Sequence, residues 1–251
     1  MIKQEVIFRD IGIMDYKQAW DFQEELLREN LGAKSEACSQ QSSASNVSDQ
    51  AFSATNHKLQ TTNYLLLLEH PPVYTLGKSG HPENILISEQ EMESKEIQFY
   101  KTNRGGDITF HGPGQIVGYP ILDLEKFYTD IGRYMRELEE VIMLTLEEYG
   151  IAAGRSAGET GVWLDAGQVG KERKICAMGV RCSRWVTMHG FALNVNTDLS
   201  YFDFIIPCGI QNKQVTSIER ELGRKIPVQD AKERIKRNFE KVFDCELIVP
   251  G

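Results

Sequence analysis

The sequence predicts an α+β fold: a single domain, residues 1–251, in which a mixed β-sheet is flanked by a few helices. Three observations predict it. Strand signals come in groups, not in strict alternation with helices. One of them, Tyr64-Leu65-Leu66-Leu67-Leu68, is a continuous apolar run of the kind a strand shows when both its faces are buried. Long helical periods are confined to a few stretches, and the chain of 251 residues is long enough to enclose a substantial core.

Residues 2–8 alternate enough for a short strand. Asp15 then caps a helix whose inner face is Tyr16, Ala19, Trp20, Gln23, Leu26 and Leu27, with Gly32 as its stop signal. Residues 33–60 are rich in Ser, Ala, Asn and Gln and have no Leu before Leu59, so they read as a disordered surface insertion with little to bury. The apolar run at 64–68 ends at His70-Pro71-Pro72. Strands are expected at 97–101, 108–111 and 116–122, and a helix at 129–149 with Gly150 as its terminator. Further strands are expected at 162–164, 174–180 and 186–195. A last helix runs over 228–243 behind Pro227.

Composition excludes several classes. The formal net charge of −8 leaves no wholesale basic surface for nucleic acid. No stretch approaches the ~20 apolar residues of a membrane span, and the first residues lack a signal peptide's apolar core, so a cytoplasmic protein is expected. The five cysteines, Cys38, Cys176, Cys182, Cys208 and Cys245, contain no CxxC pair, which argues for free thiols and against a metal site.

Two motifs are decoys. Gly154-Arg155-Ser156-Ala157-Gly158 matches a hydrolase GxSxG, yet a helix precedes it and a strand follows, the reverse of what a nucleophile elbow needs. Gly77-Lys78-Ser79 resembles the end of a phosphate-binding loop, but the motif's first glycine would fall at Pro72.

Three segments carry chemistry. The first is Asn103-Arg104-Gly105-Gly106-Asp107-Ile108-Thr109-Phe110-His111-Gly112-Pro113-Gly114-Gln115, whose glycines let backbone approach a ligand closely. The second is Lys174-Ile175-Cys176-Ala177-Met178-Gly179, where a strand would set Lys174, Cys176 and Met178 on one face. In Pro207-Cys208-Gly209, the third, a thiol sits on a tight turn open to substrate. Cysteine suits acyl transfer because its thiolate is strongly nucleophilic and its thioester stays reactive toward amines. A nearby cation raises the thiolate fraction.

These segments, with His189-Gly190-Phe191-Ala192-Leu193-Asn194, resemble the lipoyl(octanoyl) transferase family, related in fold to lipoate and biotin protein ligases. The resemblance runs from about Tyr64 to the C-terminus and more weakly over the N-terminal strand and helix. It implies a biotin/lipoate ligase-like fold and a Cys208–Lys174 catalytic dyad in which Lys174 lowers the thiol pKa and shuttles protons. It implies acyl contacts from Arg104, Gly105, Gly106, Asp107, Ile108, Thr109, Phe110 and His111, from Ala177, Met178 and Gly179, and from Gly190, Phe191 and Ala192. It implies octanoyl-acyl carrier protein as donor, and as acceptors the lipoyl domains of 2-oxoacid dehydrogenases and the glycine cleavage H protein. No cofactor is called for, since a thioester is already activated. Backbone N–H groups near the glycine-rich loop are candidates for an oxyanion hole, and His111 and His189 for positioning groups.

Two other readings exist on the same scaffold. An ATP-dependent lipoate or biotin ligase makes an adenylate and needs no nucleophilic cysteine. A non-catalytic binder of lipoyl domains needs neither Lys174 nor Cys208. Finally, Lys171, Arg173, Lys174, Arg181 and Arg184 cluster within fourteen residues and suggest a basic docking patch for an acidic carrier.

Overall fold

The computed structural model describes residues 3–44, 60–206 and 214–250, the side chains of 37–44 excepted. Cys208 and residues 45–59 of the expected insertion lie outside the described residues, as does the Cys38 side chain.

The chain opens with β1 (Gln4–Ile13) and α1 (Tyr16–Ala44), then β2 (Tyr64–Glu69), β3 (Val73–Leu76) and a short α2 (Glu89–Ser94). Next come β4 (Gln98–Lys101), β5 (Ile108–His111), β6 (Gln115–Ile121) and α3 (Ile131–Glu147). The last part holds β7 (Val162–Leu164), β8 (Arg173–Ser183), β9 (Val186–Asn194), β10 (Gln214–Val215), α4 (Ile218–Leu222), α5 (Val228–Phe243) and β11 (Cys245–Ile248).

An eight-stranded mixed sheet runs β10-β8-β9-β6-β2-β1-β11, with β7 also paired to β8. β4, β3 and β5 make a small second sheet. Along β2, Leu65 and Leu67 enter the core shared with α3 and α5, while Tyr64, Leu66 and Leu68 enter the core under α1. The five-residue apolar run is therefore buried on both sides, as its composition demands. A third cluster, with Tyr74, Ile108, Phe110 and Phe202, lies under the small sheet.

Gly32 does not stop α1, and the segment from 33 to 44 is helical where an insertion was expected. A helical glycine costs only ~1 kcal/mol, and no heavy atom crowds Gly32. Polar anchors offset that cost. Lys34 Nζ pairs with Asp123 (2.6 Å) and donates to Arg184 O (2.8 Å), and Arg184 donates to Ser35 Oγ (2.8 Å). The sequence offers no apolar signal here because the docking is ionic. β1 likewise runs past Phe8, to Ile13, because it pairs in parallel with β2 along that length, with a bulge before Gly12. β3, α2, β10 and β11 were not anticipated. β3 follows directly on Pro71-Pro72, which read as punctuation.

Candidate active site

A cavity lies between the α1-facing side of the large sheet and the glycine-rich loop 104–107. Strand register gives it two ends. At one end Lys174 of β8 lies beside Val215 of β10, its register partner. Five residues further along β8, Gly179 lies opposite Gly190 of β9, and the glycine-rich loop crosses there. A Cβ on Gly179 would fall 2.6 Å from Gly105 O, so only glycine lets the loop lie this close.

Arg104 staples that loop shut. Its guanidinium donates to Gly105 O (2.9 Å), Thr75 O (2.6 Å), Thr75 Oγ1 (3.0 Å) and Asp107 O (2.8 Å). Asp107 in turn accepts from Ile108 N (2.7 Å) and Asn84 Nδ2 (2.7 Å). The Gly105 N–H donates to Val180 O (2.9 Å), which removes it from any oxyanion hole.

Much of the cavity wall is polar and buried. Tyr119 donates to His70 Nε2 (2.8 Å), and His70 Nδ1 donates to Met14 O (2.7 Å). Gln115 Nε2 donates to Phe110 O and to Asn194 Oδ1, which leaves Oε1 to accept from His111 Nδ1 at 2.7 Å. His111 Nε2 then accepts from the Thr75 hydroxyl (3.3 Å). Asn194 Nδ2 donates to Thr216 O (3.0 Å), and Thr216 N donates to Lys174 O (3.0 Å). One directional chain of hydrogen bonds thus runs from Arg104 under the cavity to the backbone beside Lys174.

Burial pulls the His70 pKa down to about 4 and, with Arg104 and Arg181 nearby, that of His189 to about 3. His111 is driven well below the usual histidine range by burial, then by His70, with Arg104 and His189 adding to it. Tyr16 is pushed up to about 12 by burial. These groups hold their neutral forms at neutral pH and act as walls.

At the near end Lys174 is buried, with Nζ 4.5 Å from the centre of the Trp163 ring. Val215 is its register partner, and Thr160 and Phe202 also line the cavity. Cys176 does not line the cavity although it shares a strand with Lys174; it packs into the α3/α5 core, where burial raises its thiol pKa far above the ordinary value.

Of the residues singled out from the sequence, the cavity brings together Lys174, Arg104, Gly106, Asp107, Ile108, Thr109, His111, Ala177, Met178, Gly179, Gly190, Phe191 and Ala192. Gly105 and Phe110 do not line it. Gly105 supports the loop from behind, and Phe110 stacks on Tyr201 (4.6 Å) in the third core. Sequence reasoning missed Tyr16, Tyr119, Thr160, Phe202 and Val215 as wall residues. It also missed His70, which follows β2 and is buried.

The expected basic patch is not assembled. Lys174 is buried, Arg173 pairs with Asp165 (2.5 Å) and Glu221 (3.0 Å), Arg181 pairs with Glu24 (2.6 Å), and Arg184 binds the flank of α1. Side chains alternate along β8, so a run of cations in sequence is split among different surroundings.

This fold is that of a known class. The chain belongs to the lipoyl protein ligase A/B catalytic domain family, whose profile matches residues 15–240. Among its relatives, an octanoyltransferase of Christiangramia forsetii is 55% identical over 98% of this chain and 99% of its own length. One of Flavobacterium psychrophilum is 55% identical over 96% and 97%. The fold matches a bipartite lipoate protein ligase of Thermoplasma acidophilum (TM-score 0.64, 14% identity, 100% of this chain and 87% of that one). It also matches a lipoate-protein ligase A bound with ATP (TM-score 0.63, 12% identity, 100% and 89%). At such identities the structural likeness speaks to the fold alone. The kinship in sequence goes further: this protein is an acyltransferase that moves octanoyl groups in lipoate biosynthesis.

Proposed function

We infer that the octanoyl group arrives as a thioester of acyl carrier protein, passes to Cys208, and leaves on a lysine of an acceptor lipoyl domain. The acceptors in this reading are the lipoyl domains of 2-oxoacid dehydrogenases and the glycine cleavage H protein. The observation that carries the reading is the placement of Lys174. It is a buried lysine at one end of the cavity, hydrogen-bonded through its backbone to the strand that follows the Cys208 segment. Phe202 and Val215, which come before and after that segment in the chain, both line the cavity, which supports this reading.

The chemistry balances without a nucleotide. The Cys208 thiolate attacks the donor carbonyl, the carbon–sulfur bond to the carrier breaks, and the carrier thiol leaves with a proton. The acceptor amine then attacks the new thioester, the amide forms, and Cys208 is regenerated. Lys174 favours the thiolate by charge and passes the proton. Arg104, Gly106 to Thr109, His111, Ala177 to Gly179 and Gly190 to Ala192 enclose the acyl chain.

Mixing the protein with octanoyl-loaded carrier protein, without ATP, and weighing the intact protein tests this. An octanoyl adduct is expected on Cys208, lost in Cys208→Ala and kept in Cys176→Ala. An adduct at Cys176 or Cys182, or a requirement for ATP, overturns it.

A further inference from the structure

We propose that Glu139 is a positioning residue for octanoyl transfer: its buried carboxylate clamps both ends of the loop 155–161 and so fixes Trp163 against Lys174. The proposal rests on the reading of Lys174 as the group that passes the proton. Glu139 lies on α3, does not line the cavity, and has a fully buried side chain. Its two oxygens take different partners. Oε2 accepts from Arg155 Nε (2.9 Å), where the loop begins, and from Arg136 Nη1 (2.6 Å) one helical turn back. Oε1 accepts from the backbone N–H of Gly161 (3.0 Å), where the loop ends. Arg155 Nη2 adds bonds to Arg136 O (2.9 Å) and Glu140 Oε2 (2.8 Å). A buried charge is a poor device for stability alone, because desolvation offsets the attraction. What Glu139 adds is a specified partner at each end of one loop.

The loop needs such a clamp because the strand it feeds is too short to set its own register. β7 has three residues, and its pairing with β8 shifts within them: Val162 is paired with Cys176, whereas Trp163 is paired with Lys174. So short a strand, interrupted by an irregularity, has little ladder to hold it. Gly161 supplies the fixed point. It stands at φ +99, and a Cβ there would fall 2.4 Å from Cys176 O, so the chain lies close against β8 two residues from Lys174. Gly154, just before the loop, exchanges two backbone hydrogen bonds with Trp163 (2.8 and 2.9 Å). The clamp reaches the cavity at two points. Thr160, next to the clamped amide, lines the cavity. The centre of the Trp163 ring lies 4.5 Å from Lys174 Nζ, within reach of a cation–π attraction. The charges of Glu139 and Lys174 both act on the Cys176 thiol, with opposite sign, which places them in one neighbourhood.

The test compares Glu139→Gln with the wild type, each measured per folded molecule. The amide keeps an oxygen for the Gly161 N–H but loses the charge that holds Arg155. For transfer to an acceptor lipoyl domain, kcat is expected to fall about tenfold, with KM for the octanoyl carrier thioester nearly unchanged. Acetylation of Lys174 by acetic anhydride, mapped by mass, is expected to rise severalfold as Trp163 moves away. Arg155→Met loses only the tie at the start of the loop, at a partly exposed residue. It should show the same pattern more weakly, and it carries the test if Glu139→Gln does not fold. A role in stability alone lowers the urea midpoint of both variants and moves neither kcat nor labelling; that result overturns the proposal. So does a fall in kcat with Lys174 labelling unchanged, or a rise in labelling with kcat unchanged while Lys174→Ala is inactive. Lys174→Ala also keeps the two readings apart: if it transfers at the wild-type rate, the proton-passing role fails, and the clamp is then judged on the labelling alone.

Discussion

The two faces of the large sheet use the same strands for different ends. Toward α3 and α5, Leu65, Leu67, Ile116 and Leu193 meet Leu138, Ile142, Ile235 and Phe239 in an apolar core. Toward α1 and the glycine-rich loop, the neighbouring positions Gln115, Val117, Tyr119, Ala192 and Asn194 line the cavity. The first face is held by burial, which is non-directional and tolerant. The second is held by hydrogen bonds among buried groups, each with a specified partner. The difference teaches that one sheet can separate stability from chemistry by the period of two along a strand.

The largest effect should come from the apolar face. Phe239 is fully buried and stacks on Phe243 (4.4 Å). Phe239→Ala is expected to cost about 3–5 kcal/mol of stability, read by urea unfolding, while the transfer rate per folded molecule stays near wild type. A matching loss of rate would join the two faces. Lys34→Ala comes next: it leaves the buried Asp123 carboxylate short of its ion pair, at roughly 2–3 kcal/mol.

On the cavity face, Gln115→Leu strands His111 Nδ1 and Asn194 Oδ1 together. A loss of about 1–3 kcal/mol is expected, and kcat/KM for transfer should fall further than that loss of folded protein explains. A rate unchanged per folded molecule would show that the chain of hydrogen bonds is only structural.

The pH dependence sharpens the contrast. His70 and His189 titrate lower in the folded protein than at the unfolded value near 6.5. The unfolded chain therefore binds more protons below that pH. Their contribution is fully present above pH 6.5 and is lost as pH falls toward about 4 for His70 and about 3 for His189. Each accounts for roughly 1.4 kcal/mol per pH unit within its window. Urea midpoints between pH 7 and 4.5 should show the summed slope of His70, His189 and His111, which is also depressed, and His70→Gln should reduce it by about a third.

At the reacting end, Lys174→Ala should shift iodoacetamide labelling of Cys208 to higher pH; an unchanged profile would separate the two residues. The smallest effect is expected from exchanging residues 45–59 for a short Gly/Ser linker. The flanks are fixed by Lys34–Asp123 and by the two hydrogen bonds between Asn30 and Thr62, and loop length changes closure entropy only slowly. Melting temperature and rate should stay put. Exchanging 33–60 instead removes Lys34 and should not be neutral.

Much of this was legible in the residues. The helix over 228–243 and the strands over 108–111 and 162–164 lie where periodicity and turn signals put them. The glycine-rich, lysine and His189–Asn194 segments meet at one cavity. Tyr16 and Tyr119 were invisible as wall residues because each also satisfies the pattern of a helix face or a strand. What sets them apart is a partner distant in sequence, His70 for both. The extension of α1 was illegible because Lys34 finds its acid only in the folded chain. The basic cluster misled for the opposite reason: nearness in sequence along a strand is not nearness in space.

β10 is only two residues long, yet it closes β8 at Arg173 and Lys174. This has a consequence for the order in which the protein is made. Tyr16, His70, His111 and Tyr119 emerge from the ribosome first, and His189 follows well before residues 214–216. Until those last residues appear, the strand bearing Lys174 has an open edge and Asn194 has no carbonyl to hold. A growing chain therefore carries most of the cavity's wall residues before it can pair the strand at Lys174, so that pairing is among the last contacts the cavity acquires.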